Sequence, residues 1–228
     1  MLPARLMAGD EIRVIAPSRS MAVIKGEQRK IAEERFVQSG FKVTYGNNIF
    51  EHDEFFSNSV KARIEDLHDA FSDPKVKAII TVIDGYNANQ LLRHIDYELI
   101  KKNPKVFCGY SDITALNLAI LQKTGLITYS GPHFSTFGAK AGFEYTQQYF
   151  LKAVTEENGS PVKASERWSD DAWYLDQDNR NFHKNEGYRV LQEGSAEGTI
   201  VGGNLCTLNL LQGTEYMPSR GYHLIHRG

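Results

Sequence analysis

Apolar strands that alternate with helical segments are the feature that most constrains this fold. The clearest strand is 76–83, an almost continuous apolar run of the kind that is buried on both faces of a parallel sheet. Strands are predicted at 11–16, 41–45, 76–83, 106–108 and 127–130, and helices at 24–39, 59–71, 89–99, 114–123 and from 144 onward. Repeated strand–helix units predict an α/β fold, with a mainly parallel sheet and helices on both faces.

Three loops that follow predicted strands carry polar or small residues. Asp84 and Gly85 follow the third strand, Ser111 follows the fourth, and a Ser-Gly-Pro-His segment that ends at His133 follows the fifth. Ligands of open α/β sheets bind outside the carboxyl ends of the strands. The sequence therefore predicts that these loops converge on one crevice.

The segment 105–116 has the pattern of a nucleophile elbow. An apolar strand runs into Gly-Tyr-Ser-Asp and then directly into a helical pattern, which places Ser111 on the turn. A sharp turn of this kind exposes the hydroxyl above the sheet, and the helix N-terminus behind it offers backbone N–H groups to an oxyanion. These twelve residues alone are equally compatible with an ordinary helix cap.

Composition and charge exclude several classes of partner. The chain has 228 residues, a net charge of -2 and dispersed Lys and Arg residues, so no nucleic-acid partner is expected. No apolar stretch is long enough to span a bilayer, and we expect a cytoplasmic protein without a membrane partner. Cys108 and Cys206 match no metal-binding spacing, so we expect two buried free thiols, no metal and no cofactor.

The character of the chain changes after about residue 159. Residues 1–159 read as the α/β domain, whereas residues 160–228 begin with a polar, aromatic-rich stretch and continue as short strand pieces between glycines. We therefore predict two regions, an N-terminal α/β domain that carries Ser111, and a linker with the start of a β-rich C-terminal domain.

Four motifs in register resemble the LD-carboxypeptidase family of serine peptidases, most closely the branch of the microcin C self-immunity peptidase. The motifs are 9–18 (GDEIRVIAPS), 85–92 (GYNANQLL), 109–114 (GYSDIT) and 202–205 (GGNL) with 213–214 (GT). The resemblance implies a Rossmann- or flavodoxin-like N-terminal domain, followed by a β-rich domain that supplies a catalytic glutamate and histidine.

The resemblance also implies the roles of residues in the site. Ser111 is the implied nucleophile, and the backbone N–H groups of Asp112 and Gly85 are the implied oxyanion hole. The implied reaction is hydrolysis of an amide bond in a murein L,D-peptide or in a peptidyl- or aminoacyl-nucleotide, through an acyl-enzyme. A homodimer is compatible with the sequence, which does not fix the oligomeric state.

Two departures from the family pattern put activity in doubt. No position matches the triad glutamate or histidine, because the chain ends at Gly228 with no carboxylate after Glu215. We therefore expect a fragment or frameshifted product, and the alternative function is a catalytically inactive remnant or a binding module. Asp84 stands where the family usually has glycine, so it either places a negative charge beside the oxyanion hole or points outward and caps the next helix.

Several residues are weaker candidates for contacts with substrate. Tyr86 and Asn87 follow Gly85 directly, and Trp173 belongs to an aromatic group that could form a wall for a base or sugar. His133 follows the fifth strand and could contact substrate, although a structural role is the favoured alternative.

Overall fold

A four-stranded parallel sheet forms the centre of the computed structural model, which describes residues 1–157, 159, 161–195, 197–218 and 222–227. The strand order is β2-β1-β3-β4. The strands are β1 (Glu11–Ile15), β2 (Lys42–Tyr45), β3 (Val76–Thr81) and β4 (Val106–Cys108). The predicted α/β fold with a parallel sheet is confirmed.

Helices cover both faces of the sheet, as predicted. They are α1 (Gly26–Gln38), α2 (Val60–Ser72), α3 (Tyr97–Lys102), α4 (Thr114–Thr124), α5 (Glu144–Thr155) and α6 (Leu205–Leu211). Alternate residues of β3 point to opposite faces. Ile79 packs with Phe71 of α2 and Leu116 of α4, whereas Ile80 packs in a second cluster with Phe36 of α1 and Phe150 of α5.

Two predicted elements differ from the structure. Of the expected strand 127–130, only Tyr129 pairs with the sheet, through a single bridge to Cys108. The expected helix 89–99 is divided into a 3-10 turn at Ala88–His94 and the helix α3. The division arises because the Asp96 carboxylate accepts a hydrogen bond from the N–H of Leu99 at 2.9 Å and thereby caps a new helix.

The C-terminal region contains short strands and one helix. Strand β5 (Arg167–Trp168) pairs antiparallel with β6 (His183–Lys184), and β7 (Thr199–Asn204) pairs parallel with β8 (Tyr222–Arg227). Helix α6 follows β7 directly, and its residues Leu208 and Leu211 are buried in the same cluster as Leu116. The expected domain boundary at residue 159 stays a prediction.

The two cysteines have different environments. Cys108 is fully buried at the end of β4, and burial raises its pKa to about 12. Cys206 is exposed, so the expectation of two buried thiols is wrong for this residue. The reason is helical periodicity, since α6 turns Thr207, Leu208 and Leu211 toward the core and leaves position 206 on its outer side.

No helix in the described part of the chain has the length and apolar character needed to cross a membrane.

Candidate functional site

Loops at the carboxyl ends of β1, β3 and β4 meet at one edge of the sheet. The β2-β1-β3-β4 order reverses direction between β1 and β3, which is where open α/β sheets form their ligand-binding crevice. Ser18 follows β1, Gly85 follows β3 and Ser111 follows β4. The structure therefore brings together the loops after β3 and β4, as the sequence predicts, and adds the loop after β1. The third predicted loop packs beneath them, where His133 stacks on Tyr110.

Ser111 occupies a strained turn between β4 and α4. Its φ of +58° lies in the left-handed region, and among the described non-glycine residues only Phe56 shares a positive φ. Such a conformation costs of order 1–3 kcal/mol and is concentrated at functional sites. The side chain is half-buried, and its hydroxyl makes no hydrogen bond to any described residue. These features distinguish Ser111 from a helix cap, whose hydroxyl would bind a backbone N–H.

Gly109 allows the strand to approach its neighbours closely before this turn. A Cβ at this position would lie 2.3 Å from Oγ1 of Thr81 and 2.8 Å from Cγ2 of Ile113. The Gly109 carbonyl accepts a hydrogen bond from the side-chain amide of Asn117 on α4 at 2.9 Å. The glycine and this bond hold the turn tightly against β3 and α4.

The Asp112 carboxylate joins all three loops. Its Oδ2 accepts hydrogen bonds from the Ser18 hydroxyl at 2.7 Å and from the Ala88 N–H at 3.2 Å, and its Oδ1 accepts one from the Gly85 N–H at 2.9 Å. Only 7% of the residue is exposed, and this burial raises the pKa of the carboxyl group. The Gly85 N–H, which the family resemblance implies as an oxyanion donor, is thus already engaged by Asp112.

A buried arginine lies beneath the same loops. Arg63 of α2, only 3% exposed, donates from Nη1 to the carbonyl oxygens of Pro17 and Asn87, at 3.0 and 3.2 Å. The same nitrogen donates to Oδ1 of Asn87 at 3.2 Å. Burial lowers the pKa of Arg63, while the negative charges of Asp53 and Asp112 oppose that shift. Arg63 therefore supplies a positive charge close to the buried Asp112.

Asp84 forms an ion pair instead of a helix cap. Its Oδ1 accepts from Nη2 of Arg19 at 3.0 Å, and its carbonyl oxygen accepts from Nε of Arg19 at 3.0 Å. The following 3-10 turn is preceded by Asn87, without a side-chain capping bond. The capping alternative for Asp84 is therefore wrong. Asp84 stays close enough to Asp112 to raise its pKa, but Arg19 offsets the added charge.

His133 lies inside the protein beneath the elbow. It is 0% exposed, its Nδ1 is 2.7 Å from Oγ1 of Thr81, and its ring stacks on Tyr110 with centroids 4.2 Å apart. Its Nε2 has no partner among the described residues. Burial lowers the pKa of His133 to about 4, so the ring is neutral near pH 7. These contacts favour the structural role over a contact with substrate.

The three other weak candidates have different environments. Tyr86 is 61% exposed, and its hydroxyl donates to the Phe55 carbonyl at 3.0 Å, which places the ring at the outer rim of the loop after β3. Asn87 is buried and donates to the Ser57 hydroxyl at 3.0 Å, so it supports the loop from inside. Trp173 is half-buried and packs against the core on the face of α1 and α5.

No described residue is hydrogen-bonded to the Ser111 hydroxyl in the way a general base would be. A serine hydroxyl needs a base within hydrogen-bond reach. Within the described part of the chain, the ring of His133 is buried with Nδ1 at Thr81, and the Ser111 hydroxyl neither donates nor accepts a hydrogen bond. Glu215 binds Lys123 at 2.5 Å, at the opposite end of α4 from the elbow.

The end of β7 also packs against the elbow, a contact that the sequence did not predict. The Asn204 N–H donates to Oγ1 of Thr114 at 3.0 Å, and a Cβ on Gly203 would lie 2.5 Å from Cγ2 of Thr114. Gly203 has a φ of +149°, in the region that favours glycine. The Gly-Gly-Asn sequence was the available signal, because consecutive glycines often mark a close backbone approach.

Comparisons with known sequences point to one family. The family model for the LD-carboxypeptidase N-terminal domain matches residues 12–131. The putative carboxypeptidase YocD of Bacillus subtilis is 52% identical over 225 residues, which cover 99% of this chain and 69% of YocD. A probable murein peptide carboxypeptidase of the same organism is 32% identical over 228 residues, covering 96% of this chain and 62% of that protein.

Solved structures give the same result. An MccF-like protein from Bacillus anthracis matches with a TM-score of 0.98 and 56% identity, covering 99% of this chain and 69% of that one. The microcin C7 self-immunity protein MccF, in complex with glutamyl sulfamoyl guanosine, matches with a TM-score of 0.90 and 31% identity, at 99% and 70% coverage. The chain spans about two thirds of the length of these proteins. Together with the elbow and the strand order, these matches show that the chain belongs to the LD-carboxypeptidase family, which includes the MccF-type serine peptidases.

Proposed function

We propose that this protein is a serine peptidase of the LD-carboxypeptidase and MccF type that hydrolyses an amide bond through an acyl-enzyme on Ser111. The observation that carries the proposal is the positive φ of Ser111 at a strand-to-helix turn, beside the point where the strand order reverses. The surrounding structure maintains a strained serine with an unpaired hydroxyl at the carboxyl edge of the sheet, as a nucleophile elbow requires.

The proposed chemistry is acyl transfer in two steps. Oγ of Ser111 attacks the carbonyl carbon, and the Asp112 N–H binds the oxyanion at the N-terminal end of α4. The C–N bond then breaks as the hydroxyl proton of Ser111 is transferred to the leaving amine. Water later hydrolyses the Ser111 ester, which releases the carboxylic acid and restores the hydroxyl. We propose that Gly85 is the second donor, through a three-centre hydrogen bond shared between Asp112 and the oxyanion.

Two substrate classes are supported by the relatives. One relative is named a probable murein peptide carboxypeptidase, and MccF binds glutamyl sulfamoyl guanosine. We propose that this protein acts on a murein L,D-peptide or on an aminoacyl-nucleotide. The exposed Tyr86 ring is the proposed contact for the part of the substrate that extends from the crevice.

Turnover by the purified 228-residue protein tests this proposal. The protein is incubated with a murein tetrapeptide and, separately, with an aminoacyl-nucleotide amide, and products are followed by mass spectrometry. We expect release of the C-terminal residue or of the amine. The turnover rate should fall by at least about a thousandfold in Ser111→Ala. It should not change in Ser130→Ala, which removes an exposed hydroxyl from a neighbouring loop. Turnover that survives in Ser111→Ala would exclude Ser111 as nucleophile.

The second candidate function is a binding module without turnover. The specific observation that favours it is that no described residue forms a hydrogen bond with the Ser111 hydroxyl, as a general base would. Isothermal titration with glutamyl sulfamoyl guanosine distinguishes the two functions. If the protein is a binding module, wild type and Ser111→Ala bind this compound with the same affinity, and neither form hydrolyses the substrates.

A further inference from the structure

We propose that the Asp112 carboxylate is a positioning group that fixes the loop 85–88 beside Ser111, so that the oxyanion site is assembled before substrate binds. This inference rests on the proposed function for the role of the oxyanion site. Asp112 is the residue after the nucleophile, and its side chain turns away from the crevice into the protein. One residue thereby contributes a backbone donor toward the substrate and an acceptor that holds the facing loop.

The hydrogen bonds of Asp112 require a carboxylate. Two backbone N–H groups and one hydroxyl donate to its two oxygens, at Gly85, Ala88 and Ser18. A carboxylate accepts at both oxygens, whereas an amide presents an NH₂ group at one of them. An asparagine at this position would therefore face either Gly85 or Ala88 with a donor against a donor.

Burial makes this arrangement costly unless the charge is compensated. An isolated carboxylate in a protein interior is unfavourable, and three donors together with a nearby cation reduce the penalty. Arg63 supplies that cation, and its contacts with Pro17 and Asn87 lie on the same two loops. Arg63 and Asp112 are connected through hydrogen bonds: Arg63 donates to Asn87, Ser18 donates to Asn87, and Ser18 also contacts Asp112.

Precise placement of the loop matters because a donor contributes to catalysis only at the position of the developing oxyanion. A misplacement of about 1 Å can cost about a hundredfold in rate. The loop 85–88 has no regular secondary structure until the 3-10 turn begins at Ala88. Its two bonds to Asp112 join it directly to the elbow that carries the nucleophile.

The protein offers a matched control. Asp66 on α2 is also buried, at 4% exposure, and accepts hydrogen bonds from the backbone N–H of Asn48 at 3.1 Å and from its side-chain amide at 3.0 Å. It holds the loop after β2 in the way that Asp112 holds the loop after β3. Asp66→Asn therefore removes a comparable buried carboxylate at a site that does not contain Ser111.

The test combines hydrogen exchange with covalent labelling of Ser111. Exchange at the amides of Gly85 and Ala88 is measured by NMR in wild type, Asp112→Asn and Asp66→Asn. The rate of modification of Ser111 by a fluorophosphonate is measured by intact mass. We expect Asp112→Asn to accelerate exchange at one or both amides by about tenfold and to slow labelling by at least about tenfold. Asp66→Asn is expected to change neither.

The outcomes separate this inference from the proposed function. If wild type is labelled and Asp112→Asn is labelled at the same rate, the positioning role is wrong. If wild type is not labelled, the nucleophile assignment fails, and exchange alone decides whether Asp112 fixes the loop. Should Asp112→Asn not fold, Ser18→Ala removes one of the three donors. It is expected to slow labelling by a smaller factor, and an unchanged rate in that variant overturns the inference.

Discussion

At the scale of single residues, the sequence predicted the turn at Ser111 but not the side-chain contacts of Asp112. The position of Ser111 between an apolar strand and a helix was visible as a pattern, and the structure adds its strained φ of +58°. The three hydrogen bonds of Asp112 were not visible, because they join residues that are 24 to 94 positions apart in the chain. Sequence patterns indicate local turns, whereas partners of a buried carboxylate depend on how the loops assemble.

His133 gives a prediction for the pH dependence of stability. Burial lowers its pKa in the folded state to about 4, with Asp84 opposing and Arg19 reinforcing the shift, whereas an unfolded histidine titrates near pH 6.5. Between these values the unfolded chain binds a proton that the folded protein does not, so stability falls as the pH falls. We expect this residue to remove about 2 kcal/mol from the free energy of unfolding between pH 7 and pH 5.

Urea unfolding at both pH values tests this expectation. Other groups titrate in the same window, so the difference between variants isolates the histidine. His133→Asn should lose less stability than wild type between pH 7 and pH 5, even if it is less stable at pH 7. His94→Asn changes an exposed ring and should retain the wild-type dependence. Equal dependence in wild type and His133→Asn would show that the ring is already protonated, or accessible, in the folded state.

At the scale of elements, Lys105 stabilises the end of α2. Its side chain is 7% exposed, and its Nζ donates to the carbonyl oxygen of Ala70 at 3.0 Å and to that of Asp73. Burial lowers the pKa of Lys105 to about 8, which leaves the ammonium charged at pH 7. A cation at a helix C-terminus also interacts favourably with the helix dipole.

Lys105→Met removes this charge while retaining most of the buried chain length. Because the carbonyl groups of Ala70 and Asp73 both lose the ammonium as a donor, we expect a loss of about 1–3 kcal/mol in the free energy of unfolding. Lys77→Met is the control, since Lys77 is exposed and donates to Pro74 at 2.8 Å. Its effect should stay within about 0.5 kcal/mol. Chemical denaturation followed by circular dichroism measures both, and equal losses would contradict the role assigned to Lys105.

The elements that the sequence predicted well are those with long, uninterrupted patterns. The apolar run that contains β3 and the amphipathic spacing of α2 each predict their element to within a few residues. The prediction failed where a single polar side chain sets the boundary of an element. Asp96 caps α3 inside a segment whose pattern predicts one continuous helix. Helix α6 was missed because seven residues after a glycine pair are too few to show a helical period.

At the scale of the whole molecule, the candidate site is an assembly of loops from three strands and of the turn between β7 and α6. The convergence of the loops after β3 and β4 was predictable, because parallel strands share one carboxyl edge. The sequence did not predict the contribution of the loop after β1 or the contact between Asn204 and Thr114, because no local pattern marks these segments as neighbours. The C-terminal region also contributes to the core, which its glycine-rich sequence did not indicate.

Helix α6 provides the final prediction, that residues 199–217 are energetically coupled to the α/β sheet. Leu208 is 1% exposed and packs in the cluster that contains Leu116 and Phe107, whereas Leu210 on the same helix is 65% exposed. Leu208→Ala should destabilise the protein by about 2–5 kcal/mol, because it leaves a cavity between α6 and α4. Leu210→Ala should change stability by less than about 0.5 kcal/mol.

Urea unfolding and hydrogen exchange together test this coupling. In Leu208→Ala, the amides of β7 and α6 should exchange faster, and those of the elbow at 109–114 should follow, because Gly203 and Asn204 pack directly on Thr114. Leu210→Ala should leave both regions protected as in wild type. If Leu208→Ala alters exchange in α6 alone while the elbow and the global stability stay unchanged, then the C-terminal region is an independent unit that does not support the candidate site.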